Sequence, residues 1–335
     1  MLPQQEVVQA KEANKVAIME KPNVVGVGVG FKRTDGTVTS ELSVVVMVRK
    51  KLPIAGLEPQ EVLPRQVDSV KVDVVEVGEI RALQARTDRW RPAPGGVSIG
   101  HFKITAGTLG GVVRDRASDA RLVLSNNHVL ANSNDAVPGD PIFQPGPYDG
   151  GSGANDLFAH LERFCEIVFT TQPGVCSLAN AYADFGNAIA RLVGSQHRVE
   201  VYQTNPQAVN QVDAAVARPI NDADLLDEIL EIGVVSGVAP ATLGMAVRKS
   251  GRTTGFTTGT INLLDATVDV SYGTGKVARF ENQLVAGPMS QGGDSGSLVV
   301  AGGSLQAVGL LFAGSAQTTI FSPIQAVLDC LEVDI

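Results

Sequence analysis

Residues 4–19 carry Val7, Val8, Ala13, Val16, Ala17 and Ile18 among Glu, Lys and Gln, a spacing that predicts an amphipathic helix. Val24 to Lys32 then alternates Val with Gly, and Leu42 to Val48 is a second apolar run. Thr34-Asp35-Gly36-Thr37 between them is turn chemistry, so a hairpin is expected. Lys50 to Pro64 is polar and proline-rich, and Val70 to Val77 reads as a third strand. Residues 1–82 are therefore expected to form a small α+β domain. The run Gly26-Val27-Gly28-Val29-Gly30 lacks the G-x-G-x-x-G spacing of a phosphate loop and no helix follows it, so it is read as strand.

Residues 83–97, with several arginines, Trp90, Pro92, Pro94 and a Gly pair, read as an interdomain linker or a cleavage point. From Ser98 onward short apolar runs recur with turn residues between them: 108–113, 121–125, 197–202, 211–217, 245–249, 257–263, 267–271, 296–300 and 306–312. Many short strands with Gly turns predict barrels or a sandwich. Helical patterns interrupt them at Leu178 to Leu192 and at Asp222 to Ile232, the latter with Asp222 as N-cap. A third closes the chain, where Ser322-Pro323 opens a stripe of Ile324, Val327, Leu328 and Leu331. The segment 143–200 reads as a large surface insertion.

Composition narrows the class. The 335 residues are 44% hydrophobic and 19% charged, which fits a folded chain of two or three domains. A net charge of −8 and the lack of any Lys/Arg run argue against a nucleic-acid partner. The first residues lack the basic-then-apolar layout of a signal peptide, and no apolar run is long enough to cross a bilayer. A cytoplasmic location with no membrane partner is expected. Cys165, Cys176 and Cys330 are expected as reduced, buried thiols, although Cys165 and Cys176 could bridge a loop.

The candidate chemistry centres on Gln291-Gly292-Gly293-Asp294-Ser295-Gly296-Ser297, followed by the apolar run Leu298-Val299-Val300. Small neighbours leave the Ser295 hydroxyl open. A glycine lets the chain turn so that the N–H groups of Gly293 and Ser295 can point at one spot, where an oxyanion would form. A Gly-rich hairpin turn would share this composition. His128 ends the apolar run Leu122-Val123-Leu124-Ser125-Asn126-Asn127. Asp213 lies within Val212-Asp213-Ala214-Ala215-Val216, where a buried carboxylate needs a partner, for which an imidazole N–H is suited. The alternatives are a satisfied core imidazole and an edge acid paired with Arg218. No metal-ligand spacing appears, and no cofactor is expected.

His128, Asp213 and Ser295, in that order, resemble the chymotrypsin-fold (trypsin-like) serine peptidases over about residues 98–325. The resemblance implies a double β-barrel, barrel 1 at about 98–218 and barrel 2 at about 233–325, within a domain 98–335 that ends in a helix. It also implies a serine endopeptidase that works through an acyl-enzyme, with His128 as general base, Asp213 orienting it and Ser295 as nucleophile. Lys249-Ser250-Gly251-Arg252-Thr253-Thr254-Gly255-Phe256 is similar to a segment of alpha-lytic-type bacterial peptidases, which implies that Arg252 holds Asp294 and shapes the oxyanion loop. Carried over likewise, Met289, Ser290 and Gln291 would face Leu311, Phe312 and Ala313 across the primary pocket. With no acid there, a medium apolar residue before the scissile bond is expected. Val308 to Ser315, Phe321-Ser322-Pro323-Ile324 and the Val-Gly hairpin resemble bacterial relatives of the plant narrow-leaf serine peptidases, which implies homo-oligomers and an assembly or gating role for residues 1–82. Two other readings remain open: a catalytically silent scaffold, and a peptidase restrained or helped to fold by its first domain.

Overall fold

The computed structural model describes all residues except 1–2, 35–36, 54–55, 79, 81–83 and 105. Contacts divide the chain into two units, Met1–Gln84 and Ala85–Ile335. In the first, the helix Gln4–Met19 buries Val7, Ala10 and Ile18 on Val44, Val46, Val48, Val67, Val70 and Val72. Strand Val24–Thr34 pairs antiparallel with Thr37–Val48, which runs parallel to Val70–Glu76. The Asp35-Gly36 turn expected between the first two lies outside the described residues.

Among the described residues, the second unit holds two eight-stranded sheets and a small three-stranded one made of Gly233–Val234, Leu225–Ile229 and Ala93–Gly95. In the first, neighbours run Val333–Asp334, Gly111–Asp115, Arg121–Ser125, Ala215–Pro219, Leu157–Phe164, Pro141–Phe143, Ser98–His101, Gly107–Thr108. In the second they run Tyr202–Thr204, Thr171–Pro173, Val277–Ala286, Gly255–Ser271, Ala246–Gly251, Leu298–Ala301, Ala307–Gly314, Thr319–Pro323. The last of these also pairs with Val277–Ala286, which closes a barrel. The helix Ile324–Leu331 inserts Ile324, Val327, Leu328 and Leu331 among Leu122, Leu124 and Val216 of one sheet and Leu298, Val300 and Leu310 of the other. One apolar cluster therefore locks both sheets, in the double-barrel architecture of chymotrypsin-like peptidases.

Several expected elements differ. Asp222 to Ile232 is a short turn, Asp222–Asp224, then a strand, Leu225–Ile229. The Asn221 side chain, not Asp222, accepts from the Ala223 N–H, and burying Leu225 and Ile229 fixes an extended chain beside Ala93–Gly95. Residues 85–97 of the expected linker are packed: Ala93 and Val97 are buried, and Arg86 bonds to Ser250 and Glu231. Leu83 lies outside the described residues. The supposed insertion 143–200 contains a barrel strand, Leu157–Phe164, because Phe158, Ala159 and Leu161 fill the first core. The runs 257–263 and 267–271 form one strand, Gly255–Ser271, and 197–202 has no strand until Tyr202.

The cysteines overturn the expectation of reduced thiols. Cys165 and Cys330 form a disulfide, and Cys176 is free and exposed. The closing helix lies over the end of strand Leu157–Phe164 and brings the two sulfurs together, which adjacency in sequence could not show. Two outcomes are expected. Maleimide should label one thiol on the native protein and three after reduction and unfolding. Cys330→Ser should cost about 2–5 kcal/mol of stability, because a loop closed across 165 positions is restored to the unfolded chain; chemical unfolding measures it.

Candidate active site

His128 does not end a strand. It sits on the single turn Asn127–Leu130 that follows strand Arg121–Ser125, and Asp213 precedes strand Ala215–Pro219. These two strands pair, Ser125 opposite Ala215, so both residues emerge at the same end of the sheet. The His128 Nδ1–H donates to Asp213 Oδ2 at 2.6 Å, and the His128 backbone N–H donates to Oδ1 at 3.2 Å. The Asn126 amide donates to the Asp213 carbonyl at 2.6 Å, which fixes the same turn again.

A third donor comes from the other barrel. The Tyr272 hydroxyl, just past strand Gly255–Ser271, donates to Asp213 Oδ2 at 2.7 Å. Its ring stands edge-on to His128 at 5.9 Å and packs against Phe169 and Phe280. Burial, then the Asp213 charge, pushes the phenol well above its ordinary value, so Tyr272 remains a donor at any working pH. Sequence reading missed Tyr272; its only signal was a lone tyrosine beside Gly273 in a turn.

Ser295 lies between Gly293 and Gly296, both left-handed at φ +95° and +94°. A Cβ on Gly296 would lie 2.1 Å from Ser125 Oγ and 2.3 Å from the Thr108 carbonyl, so only glycine fits. Thr108, from the first sheet, donates its N–H to the Ser295 carbonyl at 2.8 Å and its hydroxyl to the Gly293 carbonyl at 2.9 Å. The Thr253 hydroxyl holds the Gly292 carbonyl at 2.8 Å. In a trans peptide the N–H opposes the C=O, so this contact turns the Gly293 N–H away from Thr253. Among the described residues, the N–H groups of Gly293 and Ser295 have no protein acceptor. Ser295 Oγ donates to the Phe312 carbonyl at 3.4 Å, and no hydrogen bond joins it to His128.

The expected partner of Asp294 is corrected. Arg252 pairs with Asp149, with Nε donating at 2.9 Å, and it stacks over the Tyr148 ring. Asp294 is held instead by buried Lys249, whose Nζ lies 3.1 Å from Oδ2. It also accepts from the N–H groups of Gln291, Thr253 and Thr254 and from the Thr254 hydroxyl. The reason is strand parity: in Ala246–Gly251, Val247 and Lys249 both face the interior, and Arg252 lies past the strand's end. That alternation was visible in the sequence. Burial alone would raise the Asp294 carboxyl. The Thr254 hydroxyl, the Lys249 charge and the N–H groups outweigh it and hold the carboxyl below its ordinary value. Burial pulls the Lys249 ammonium down, against the attraction of Asp294.

Beside Ser295 opens a pocket of about 790 Å³ lined by Thr257, Met289, Ser290, Gln291, Leu311 and Ala313, with no charged side chain on its wall. Phe312, expected there, points the other way and stacks on Phe280 at 4.7 Å, because neighbours along a strand face opposite sides. The first unit has its own cavity of about 350 Å³, lined by Val48, Leu52, Leu57, Leu63, Val72 and Val74 among others, and among the described residues no Ser, His or Cys lines it. Among the described residues no cluster of His, Cys, Asp or Glu could hold a metal.

No protein-family profile matches the sequence. Among solved structures, the chain is similar to Nocardiopsis protease at 18% identity and TM-score 0.46, covering 72% of this chain and 97% of that one. Thermobifida fusca protease A matches at 17% and 0.44, over 72% and 96%. An alpha-lytic protease homologue matches at 17% and 0.43, over 72% and 98%.

Lys249→Met would leave the Asp294 charge buried without its cation. It should cost about 3–5 kcal/mol in urea unfolding at neutral pH. A depressed carboxyl contributes stability above its unfolded value and loses it as pH falls through the folded value. Acid loss in the wild type is therefore expected below the ordinary carboxylate range, and in Lys249→Met at higher pH. Unfolding across a pH series reads both.

Proposed function

We propose that the chain is a serine endopeptidase. The observation that carries this reading is the buried Asp213–His128 pair at the end of one sheet, beside a left-handed glycine loop that offers a serine hydroxyl and two unpartnered N–H groups to an open pocket. In this mechanism His128 Nε2 takes the proton of Ser295 as Oγ attacks a peptide carbonyl. Asp213 keeps the Nδ1–H tautomer and stabilises the imidazolium. The N–H groups of Gly293 and Ser295 hold the oxyanion, each worth about 3 kcal/mol, and water then releases the acyl group. The 3.4 Å bond from Ser295 to the Phe312 carbonyl is long, so trading it for the imidazole costs little when substrate binds. That same bond is the observation favouring the second reading, a silent scaffold in which Ser295 never meets His128.

The two readings separate on covalent labelling. A fluorophosphonate probe should label the full chain at Ser295 and should not label Ser295→Ala; an unlabelled wild type supports the scaffold. Met289, Leu311 and Ala313 on an uncharged wall point to a medium apolar residue before the scissile bond, and a peptide-library profile led by Arg or Lys would contradict this.

Tyr272 supplies a further expectation. Its hydroxyl is one of three donors to the Asp213 carboxylate, and without it the carboxylate holds the imidazole less firmly in place. Tyr272→Phe should therefore lower kcat about tenfold with KM little changed, the scale of one hydrogen bond to a charged group; steady-state kinetics measures both.

A further inference from the structure

The helix Ser177–Leu192 shows its bulky apolar face to the outside. Leu178, Tyr182, Phe185, Ile189 and Leu192 are 80%, 77%, 67%, 46% and 87% exposed. The helix is not loosely attached. Ala183 is buried, the Asn180 amide donates to the Gly174 carbonyl, and Asn187 exchanges two hydrogen bonds with Val199 at 2.9 and 2.7 Å. The chain thus holds a rigid helix with five large apolar side chains in water, a cost that single surface residues do not incur.

The spacing within the stripe is four, three, four, three, the seam along which two helices interdigitate. Its flanks are Ala179, Ala181, Gly186 and Ala188, small residues that let a second backbone approach. Gly186 is the sharper observation. Among the described residues, and apart from its own helix backbone and chain neighbours, nothing lies within 4 Å of where its Cβ would be, so the described fold does not require a glycine there. In mid-helix that glycine costs about 1 kcal/mol, whereas a helix packed closely alongside would need it.

We infer that this face pairs with the same helix of a second copy of the chain, antiparallel about a twofold axis at Phe185. The seam reads nearly the same in both directions, so Leu178 of each copy meets Leu192 of the other and Tyr182 meets Ile189, as an isologous contact requires. The five side chains expose on the order of 700 Å² per copy. Two copies would remove up to roughly 1,400 Å², within the range of stable interfaces. Charge disfavours a lipid surface: the helix carries one arginine and one aspartate, and the chain a net −8.

The test is sedimentation velocity on the full chain at micromolar concentration. A two-chain mass is expected. Phe185→Glu and Leu192→Glu should each weaken assembly at least about 30-fold, while Asp184→Lys, off the seam, should not. Because the seam is solvent-exposed, these variants should keep the wild-type circular dichroism. In a Cys176→Ser background, Phe185→Cys should cross-link copy to copy on mild oxidation. A one-chain mass throughout, assembly untouched by the seam variants, or no cross-link would overturn the proposal. So would seam-dependent flotation of the wild type with phosphatidylcholine–phosphatidylserine vesicles. None of these outcomes depends on Ser295, so the hydrolase reading stands or falls separately.

Discussion

Asp213 is the constraint on which the second unit depends. Its carboxylate is fully buried, and an unpaired charge in that position would cost several kcal/mol. The fold answers with donors from both barrels. His128 gives its backbone N–H and its ring N–H from the first, and Tyr272 gives its hydroxyl from the second. Satisfying one charge therefore fixes the imidazole orientation, its tautomer and the position of the long hairpin that carries Tyr272. The ring that carries this hydroxyl also packs against Phe169 and Phe280.

A second carboxylate, Asp294, is buried as deeply and is solved differently. It has a buried lysine, Lys249, as counter-ion, and donors that leave its oxygens little more to accept. Such a charge is a fixed strut: it pins Gln291, Thr253 and Thr254 around the glycine loop. Asp213 has only neutral donors besides the imidazole. Two aspartates of equal burial thus differ in what they can do, and the difference lies in whether a fixed counter-ion is present.

The sequence carried His128, Asp213 and Ser295 because each is a polar residue set among small or apolar neighbours, a local signal. It also carried the strand-rich second unit and the closing helix, which follow from period and turn chemistry. What it did not carry was two further pairings across distance. Tyr272 reaches Asp213 from another barrel, and Cys330 reaches Cys165 only because the last helix folds back. Arg252 was matched to Asp294 by motif, although parity along Ala246–Gly251 already turned Lys249 inward. The same parity places Phe312 away from the pocket that Leu311 and Ala313 line. Asp222 to Ile232 has a helical period that gave way to the parallel pairing of Leu225–Ile229 with Ala93–Gly95.

The segment between the barrels joins these themes. The Thr170 N–H donates to the Val277 carbonyl, and Thr171–Pro173 extends the second sheet. Phe169, one residue earlier, stands edge-on to Tyr272 at 5.8 Å. The excursion that carries the exposed helix is therefore rooted in the aromatic cluster that steadies the third donor to Asp213. Its return is pinned as well: Asn210 bonds through its side chain to both the N–H and the carbonyl of Val168, and through its N–H to Arg279. An excursion closed at its base in this way presents its outer helix as a fixed surface and leaves the packing around Tyr272 to the barrel. The apolar stripe and the buried carboxylate can therefore be served by one segment without either compromising the other.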